Sequence, residues 1–199
     1  MNFFDYAFHH VGCIGRLLRG DTAALNDMDI SADGFWRSFE AIPAALPALL
    51  FTWVVESRRL QSQGVLDSLA SLLARMAVLE ILFWILPIVV LAFVLRALNL
   101  SHRYPQLVIS RNWLSVPMSY VFVLAPLGEL MTNGGQSSTA GGFLTIAALV
   151  VVLWCSFRVT RVALAVQPLV AVTFVAVEVI ITYPLAVSFY AAAGLYPPV

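Results

Sequence analysis

Long apolar runs, broken by short polar stretches, dominate the chain. Five stand out: Ala41 to Val55, Met76 to Leu98, Trp113 to Met131, Phe143 to about Val166, and Pro168 to about Ala193. The second would rise about 35 Å as a helix, enough to cross a hydrocarbon core of about 30 Å with some tilt. A backbone in lipid must satisfy its own hydrogen bonds, so these runs are expected to be helices. A β-barrel is not expected, because the runs are continuous rather than alternating. The first run is short and holds Pro43 and Pro47, so it is read either as a marginal span or as a re-entrant hairpin. The predicted fold is therefore an all-α polytopic membrane helical bundle. It has five spans, or four plus a re-entrant hairpin, with amphipathic interfacial helices beside them.

Two other segments follow a helical period. Phe3, Phe4, Phe8, Val11, Ile14, Leu17 and Leu18 form one apolar face, with Arg16 and Arg19 alongside, which suits a helix on the cytoplasmic leaflet. Ser57 to Arg75 places Leu66, Leu69, Leu72, Leu73 and Met76 on one face and reads as a surface helix bending into the second span. Residues 1–38 form a cytoplasmic or interfacial N-terminal segment, too short to enclose a core, and residues 39–199 the transmembrane bundle. The polar connection Asn99 to Asn112 is placed in the cytoplasm. Met1 to His10 has no basic leader and carries Asp5, so the first membrane helix is expected to be retained.

Composition agrees with the pattern. Hydrophobic residues are 61% of 199 and charged residues 11%, against about a quarter charged in soluble domains. Eleven basic and eleven acidic residues cancel, so no attraction to nucleic acid is expected. Every basic residue is arginine. With the N-terminus inside, eight arginines are cytoplasmic and three, Arg58, Arg59 and Arg75, are external, summing to the eleven present. The positive-inside rule thus favours N-terminus cytoplasmic and C-terminus periplasmic. The four-span alternative would leave no arginine outside.

Chemistry-bearing patterns are sparse. There is no HExxH, GxSxG, Walker loop or GxGxxG, and no lysine for a Schiff base. No cofactor is expected and no enzyme. Cys13 and Cys155 form no metal motif or disulfide framework. His9 and His10 are adjacent and so diverge on a helix. Three glutamates, Glu80, Glu129 and Glu178, fall in predicted spans, where a carboxylate must face protein or water, find a partner or be protonated. If the chain turns at Gln167-Pro168, Arg158 and Glu178 sit at similar depth and form an ion pair, with Arg161 nearby. The favoured role of that pair is to lock two helices, since a carboxylate beside an arginine is a poor proton carrier. Ser115, Ser119, Phe122, Pro126 and Glu129 share one face of the third span and could line a polar path or make interhelical hydrogen bonds. Glu80, Trp84 and Pro87 form a similar stripe on the second span. Prolines 87, 117, 126 and 184 lie inside spans, where each removes a backbone donor.

Ser31-Ala-Asp-Gly-Phe-Trp-Arg-Ser-Phe39 before the first span, with Ser110-Arg-Asn-Trp113 entering the third, resembles a group of small uncharacterised inner-membrane proteins of proteobacteria. The five-span layout also resembles the Yip1-like family in topology. That family's Tyr-Gly-Pro type motif is not found before the first span, so no functional residue is carried over. The resemblance implies a bacterial inner membrane. The expected function is a non-enzymatic structural, accessory or assembly component that packs with the lipid bilayer, with copies of itself as a homo-oligomer, or within a larger membrane complex. The alternative is a small transporter or channel subunit moving protons, ions or a small solute along a polar seam.

Overall fold

A computed structural model describes residues 2–133 and 138–196, without the side chains of residues 132 and 133. It is all-helical among the described residues. Helix α1 spans Phe3–Arg19, α2 Ala32–Arg37, α3 Ala41–Ser62, α4 Leu69–Ala97, α5 Tyr104–Asn133, α6 Thr139–Leu164 and α7 Pro168–Ala192. Helices α3 to α7 are each long and apolar enough to cross a membrane. The chain is a polytopic membrane helical bundle.

Helix α3 corrects the re-entrant alternative. Its 22 residues form one continuous helix rising about 33 Å, long enough for a full crossing. Pro43 sits in the first turn, where its missing donor costs little, and Pro47 is carried inside the helix. The surface helix expected over Ser57–Arg75 does not form as one piece. Helix α3 runs on to Ser62, Gly64 turns the chain at φ 97°, and Ser68 caps α4 by accepting from the Ser71 amide at 3.2 Å. Arg75 then clamps that turn, bonding both Asp67 carboxylate oxygens and the Ala193 carbonyl near the end of α7.

The third span begins earlier than its apolar run. Pro105 stands in the first turn of α5, so helix precedes Trp113 by more than two turns. Arg111 is thereby inside the helix and not in a cytoplasmic loop. Residues 134–137, between α5 and α6, lie outside the described residues; α6 starts at Thr139, capped by Ser138.

Helix α5 is the axis of the bundle, packed against α3 and α6 and touched by α1 and α2. Ala41, Ala45 and Ala48 are buried on α3 at helical spacing. Such small residues let neighbouring backbones approach, and the Tyr120 hydroxyl donates across the seam to the Ala44 carbonyl at 3.3 Å. Helix α1 docks on the bundle by a face that flanks its apolar stripe. Tyr6, His10, Cys13, Ile14 and Leu17 are buried against Trp113 and Val159, while Phe4 and Phe8 are 66% and 77% exposed. The exposed phenylalanines belong to the stripe expected to face the leaflet. The docked face brings Tyr6 and His10 against Trp113 of α5.

The junction is organised by four consecutive residues of α5. Ser110 Oγ lies 3.9 Å from the Met28 sulfur, and Asn112 Nδ2 donates to Ser38 Oγ at 2.8 Å. Trp113 stacks on His10 and meets Tyr6 edge-on. Arg111 reaches α7. Ser38 in turn donates to the Phe35 carbonyl, and Ser31 caps α2 through the Gly34 amide. Gly34 has no room for a side chain, since a Cβ there would lie 2.1 Å from the Asp29 carbonyl oxygen. The two phrases singled out in the sequence are thus packed against each other.

Candidate functional site: a polar cavity along α5

Ser115, Ser119, Phe122, Pro126 and Glu129 do share one face, and it fronts a cavity of about 1140 Å³. Arg111, one turn before Ser115, extends the same face. From Arg111 to Glu129 the wall rises about 27 Å along the helix axis. The opposite walls are Thr52, Trp53, Glu56 and Arg59 of α3, Met76 and Glu80 of α4, Thr145 and Ser156 of α6 and Tyr190 of α7.

Each polar wall residue is held in a definite way. The Ser115 hydroxyl donates to the Asn112 carbonyl at 2.6 Å, and that of Ser119 to the Ser115 carbonyl at 2.8 Å. Both hydroxyl protons are spent on the helix, so both oxygens can act as acceptors. Pro126 supplies no N–H to the Phe122 carbonyl, which leaves a further acceptor on this face. Glu129 accepts from the Ser138 amide at 3.2 Å, at the N-terminus of α6, where a carboxylate is favoured. Its carboxylate occupies the space that a Cβ on Gly141 would need. Glu56 pairs with Arg59 at 2.9 Å. Glu80 accepts from the Trp84 indole at 3.0 Å.

The expected Arg158–Glu178 pair is not formed. Glu178 is held in a two-pronged pair by Arg111, Nη1 to Oε2 and Nη2 to Oε1, each at 2.5 Å. The two side chains are only 23% and 18% exposed. Counting residues from the turn leaves out azimuth, which decides pairing. Arg158 lies on the Trp154 face of α6, its guanidinium 6.0 Å from that ring, and near Gly20 at the end of α1. Glu178 lies one turn from buried Phe174 and looks toward α4 and α5. Arg161 is exposed and outside the cavity.

Of the residues predicted from sequence, the structure brings Glu80, Glu129, Ser115 and Ser119 to one cavity. Glu178 joins it through Arg111, and Arg158 and Arg161 stand apart. Arg111 itself was legible, because it precedes Ser115 by four residues. Glu56, Arg59, Trp53 and Tyr190 carried no signal in the chain, because only tertiary packing brings them there. Behind Glu178 lies a second, apolar crevice of about 210 Å³ between α4 and α7, lined by Leu86, Pro87, Val90, Phe174 and Val177 among others. The Arg111–Glu178 pair separates the two spaces.

Compared with known proteins, the chain matches no family model, no curated protein and no solved structure.

Outside the spans, ionisation is governed by the α1 junction. Burial is the main cause that pushes the His10 imidazole below its usual range. Its Nδ1–H faces the Tyr6 carbonyl at 2.9 Å, and Nε2 accepts from the Asp29 amide at 3.4 Å, which assigns the neutral tautomer. Hydrogen bonds from Ser31 hold the Asp29 carboxyl below the usual carboxylate range.

Proposed function

We propose that this chain is a small transporter or channel subunit, taking an ion or small polar solute into the cavity beside α5. The observation that carries this reading is the convergence of the α5 stripe with Glu80 and Arg111 on one space. A static packing seam would use its hydroxyls across the helix interface. Here Ser115 and Ser119 bond their own helix and turn oxygens to the cavity. The accessory reading, in which helices pack with a partner or a second copy, places no requirement on such a space and is the second choice. No enzymatic role is proposed.

The arrangement of charge supports an orientation within this proposal. Arg16, Arg19, Arg37, Arg96, Arg103, Arg158 and Arg161 cluster at one end of the bundle, and Arg58, Arg59 and Arg75 at the other. The arginine-rich end is the cytoplasmic one by the positive-inside rule, in a bacterial inner membrane. The N-terminus is then inside and the C-terminus periplasmic.

Uptake of rubidium ion and of choline into proteoliposomes tests the proposal. Uptake above that of protein-free vesicles is expected for at least one probe. Ser119→Trp fills the cavity and should abolish it, while Leu124→Trp, on an exposed face of α5, should not. Uptake no faster than in protein-free vesicles for either probe overturns the transport reading.

A further inference from the structure

The charges lining the cavity do not cancel. Arg111 is consumed by Glu178 in a two-pronged pair, and Arg59 holds Glu56. Glu129 is set against the N-terminus of α6, whose dipole favours its negative charge. Glu80 is left. It accepts a single indole hydrogen bond, from Trp84, and no arginine pairs with it among the described residues. A carboxylate within a span needs a partner, a proton or water. With water in the cavity Glu80 keeps its charge, and among the described residues it is then a carboxylate that no arginine meets, while the arginines of the wall are each engaged by a glutamate.

Size and lining then separate the kinds of cation. A dehydrated metal ion needs several oxygen ligands converging within about 2–2.6 Å. Among the described residues no group of three His, Cys, Asp or Glu side chains could hold one. The cavity, at about 1140 Å³, is instead as large as the clefts of about 300–1000 Å³ that hold drug-sized molecules. Its walls also present Trp53, Phe122 and Tyr190. Ring faces attract cations whose charge is spread over carbon or nitrogen, most strongly where water is excluded.

We propose that the cavity binds an organic cation of drug-like size, whose charge is met by Glu80 and whose apolar surface lies against Trp53, Phe122 and Tyr190. This rests on the transport reading and names the class of solute. Serine and carbonyl oxygens along α5 would solvate the cation's polar edge, and the Arg111–Glu178 pair bounds the site toward the apolar crevice.

Binding of tetraphenylphosphonium to the purified full chain in mild detergent, measured by equilibrium dialysis, is the test. Tetraphenylborate, of nearly the same shape and opposite charge, is the comparison. Saturable binding of the phosphonium is expected, at least tenfold tighter than that of the borate. Glu80→Gln should weaken it at least tenfold. Glu80→Asp, which keeps the charge, should restore most of the affinity if the amide variant unfolds, and Asp33→Asn, far from the cavity, should leave it unchanged. Equal affinity for the two ions, undiminished binding by a folded Glu80→Gln protein, or no saturable phosphonium binding overturns the proposal. Rubidium uptake blocked by Ser119→Trp alongside absent phosphonium binding would leave transport standing and remove only the organic cation. Failure of both uptake and binding would remove the two together.

Discussion

The two sides of α5 solve the same problem differently. Around Asn112 and Trp113 one side meets α1, α2, the first turns of α3 and the end of α6, and its residues are buried. The other fronts a polar cavity walled by α3, α4, α6 and α7. Both sides come from one helix of a strongly apolar chain, so overall hydrophobicity does not distinguish them. What differs is how polar groups are satisfied. At the junction, Asn112 is spent on Ser38 and His10 on backbone groups, which fixes one arrangement of helices. Along the cavity, Ser115 and Ser119 satisfy themselves within α5 and place no demand on a neighbour. Polar groups directed between helices lock them; polar groups turned back on their own helix leave room for a guest.

The largest expected effect lies at the junction. Trp113 is fully buried between His10, Tyr6 and the α6 side, so Trp113→Ala should cost about 3–5 kcal/mol. Phe122→Ala, on the cavity side of the same helix, removes a ring already 36% exposed and should cost under about 1 kcal/mol. Denaturation of both variants in matched detergent measures the gap. Equal losses would erase the contrast between the two sides.

Next in size is the pair that joins them. Arg111→Gln and Glu178→Gln should each destabilise, and the double variant should recover part of the loss, with a coupling of about 1–2 kcal/mol in a thermodynamic cycle. The same cycle on Arg158 and Glu178 should show no coupling within error.

That prediction also marks how far the sequence could be read. Continuous apolar runs predicted α6 and α7 within about a turn, because lipid imposes helix and length together, but started α4 about two turns and α5 more than two turns late. The α5 stripe was legible because its period of 3.6 residues is local. Arg111 fell outside it only because the helix was started at Trp113, the first residue of the apolar run, although Pro105 is a good helix-start signal. The partner of Glu178 was not legible. Counting residues from a turn gives depth, while pairing also requires that both side chains point into the same gap. The walls supplied by Trp53, Glu56 and Tyr190 depend on packing between distant segments, and no spacing encodes that.

The smallest effect is a pH dependence confined to the junction. The imidazole of His10 is depressed by burial, so the unfolded chain takes up its proton first as pH falls. Stability is then intact above about pH 6.5 and declines below it, by at most about 1.4 kcal/mol per pH unit, until the depressed folded value is reached. Asp29, also depressed, acts only below about pH 4. Comparing melting at pH 7.5 and 5.5, wild type should lose more stability than His10→Phe. An identical loss would place His10 outside the buried junction.

The central claim is that water reaches one face of α5 inside the membrane. It is tested most directly by single cysteines along that helix, in a Cys13→Ser, Cys155→Ala background. Each is treated with a membrane-impermeant thiosulfonate in intact proteoliposomes. Cysteines at Ser115, Ser119 and Phe122 should be labelled, while those at Leu124 and Leu127, which lie on exposed positions of α5, should resist. Labelling that ignores the helical period, or a stripe as unreactive as the leucine face, would contradict the account.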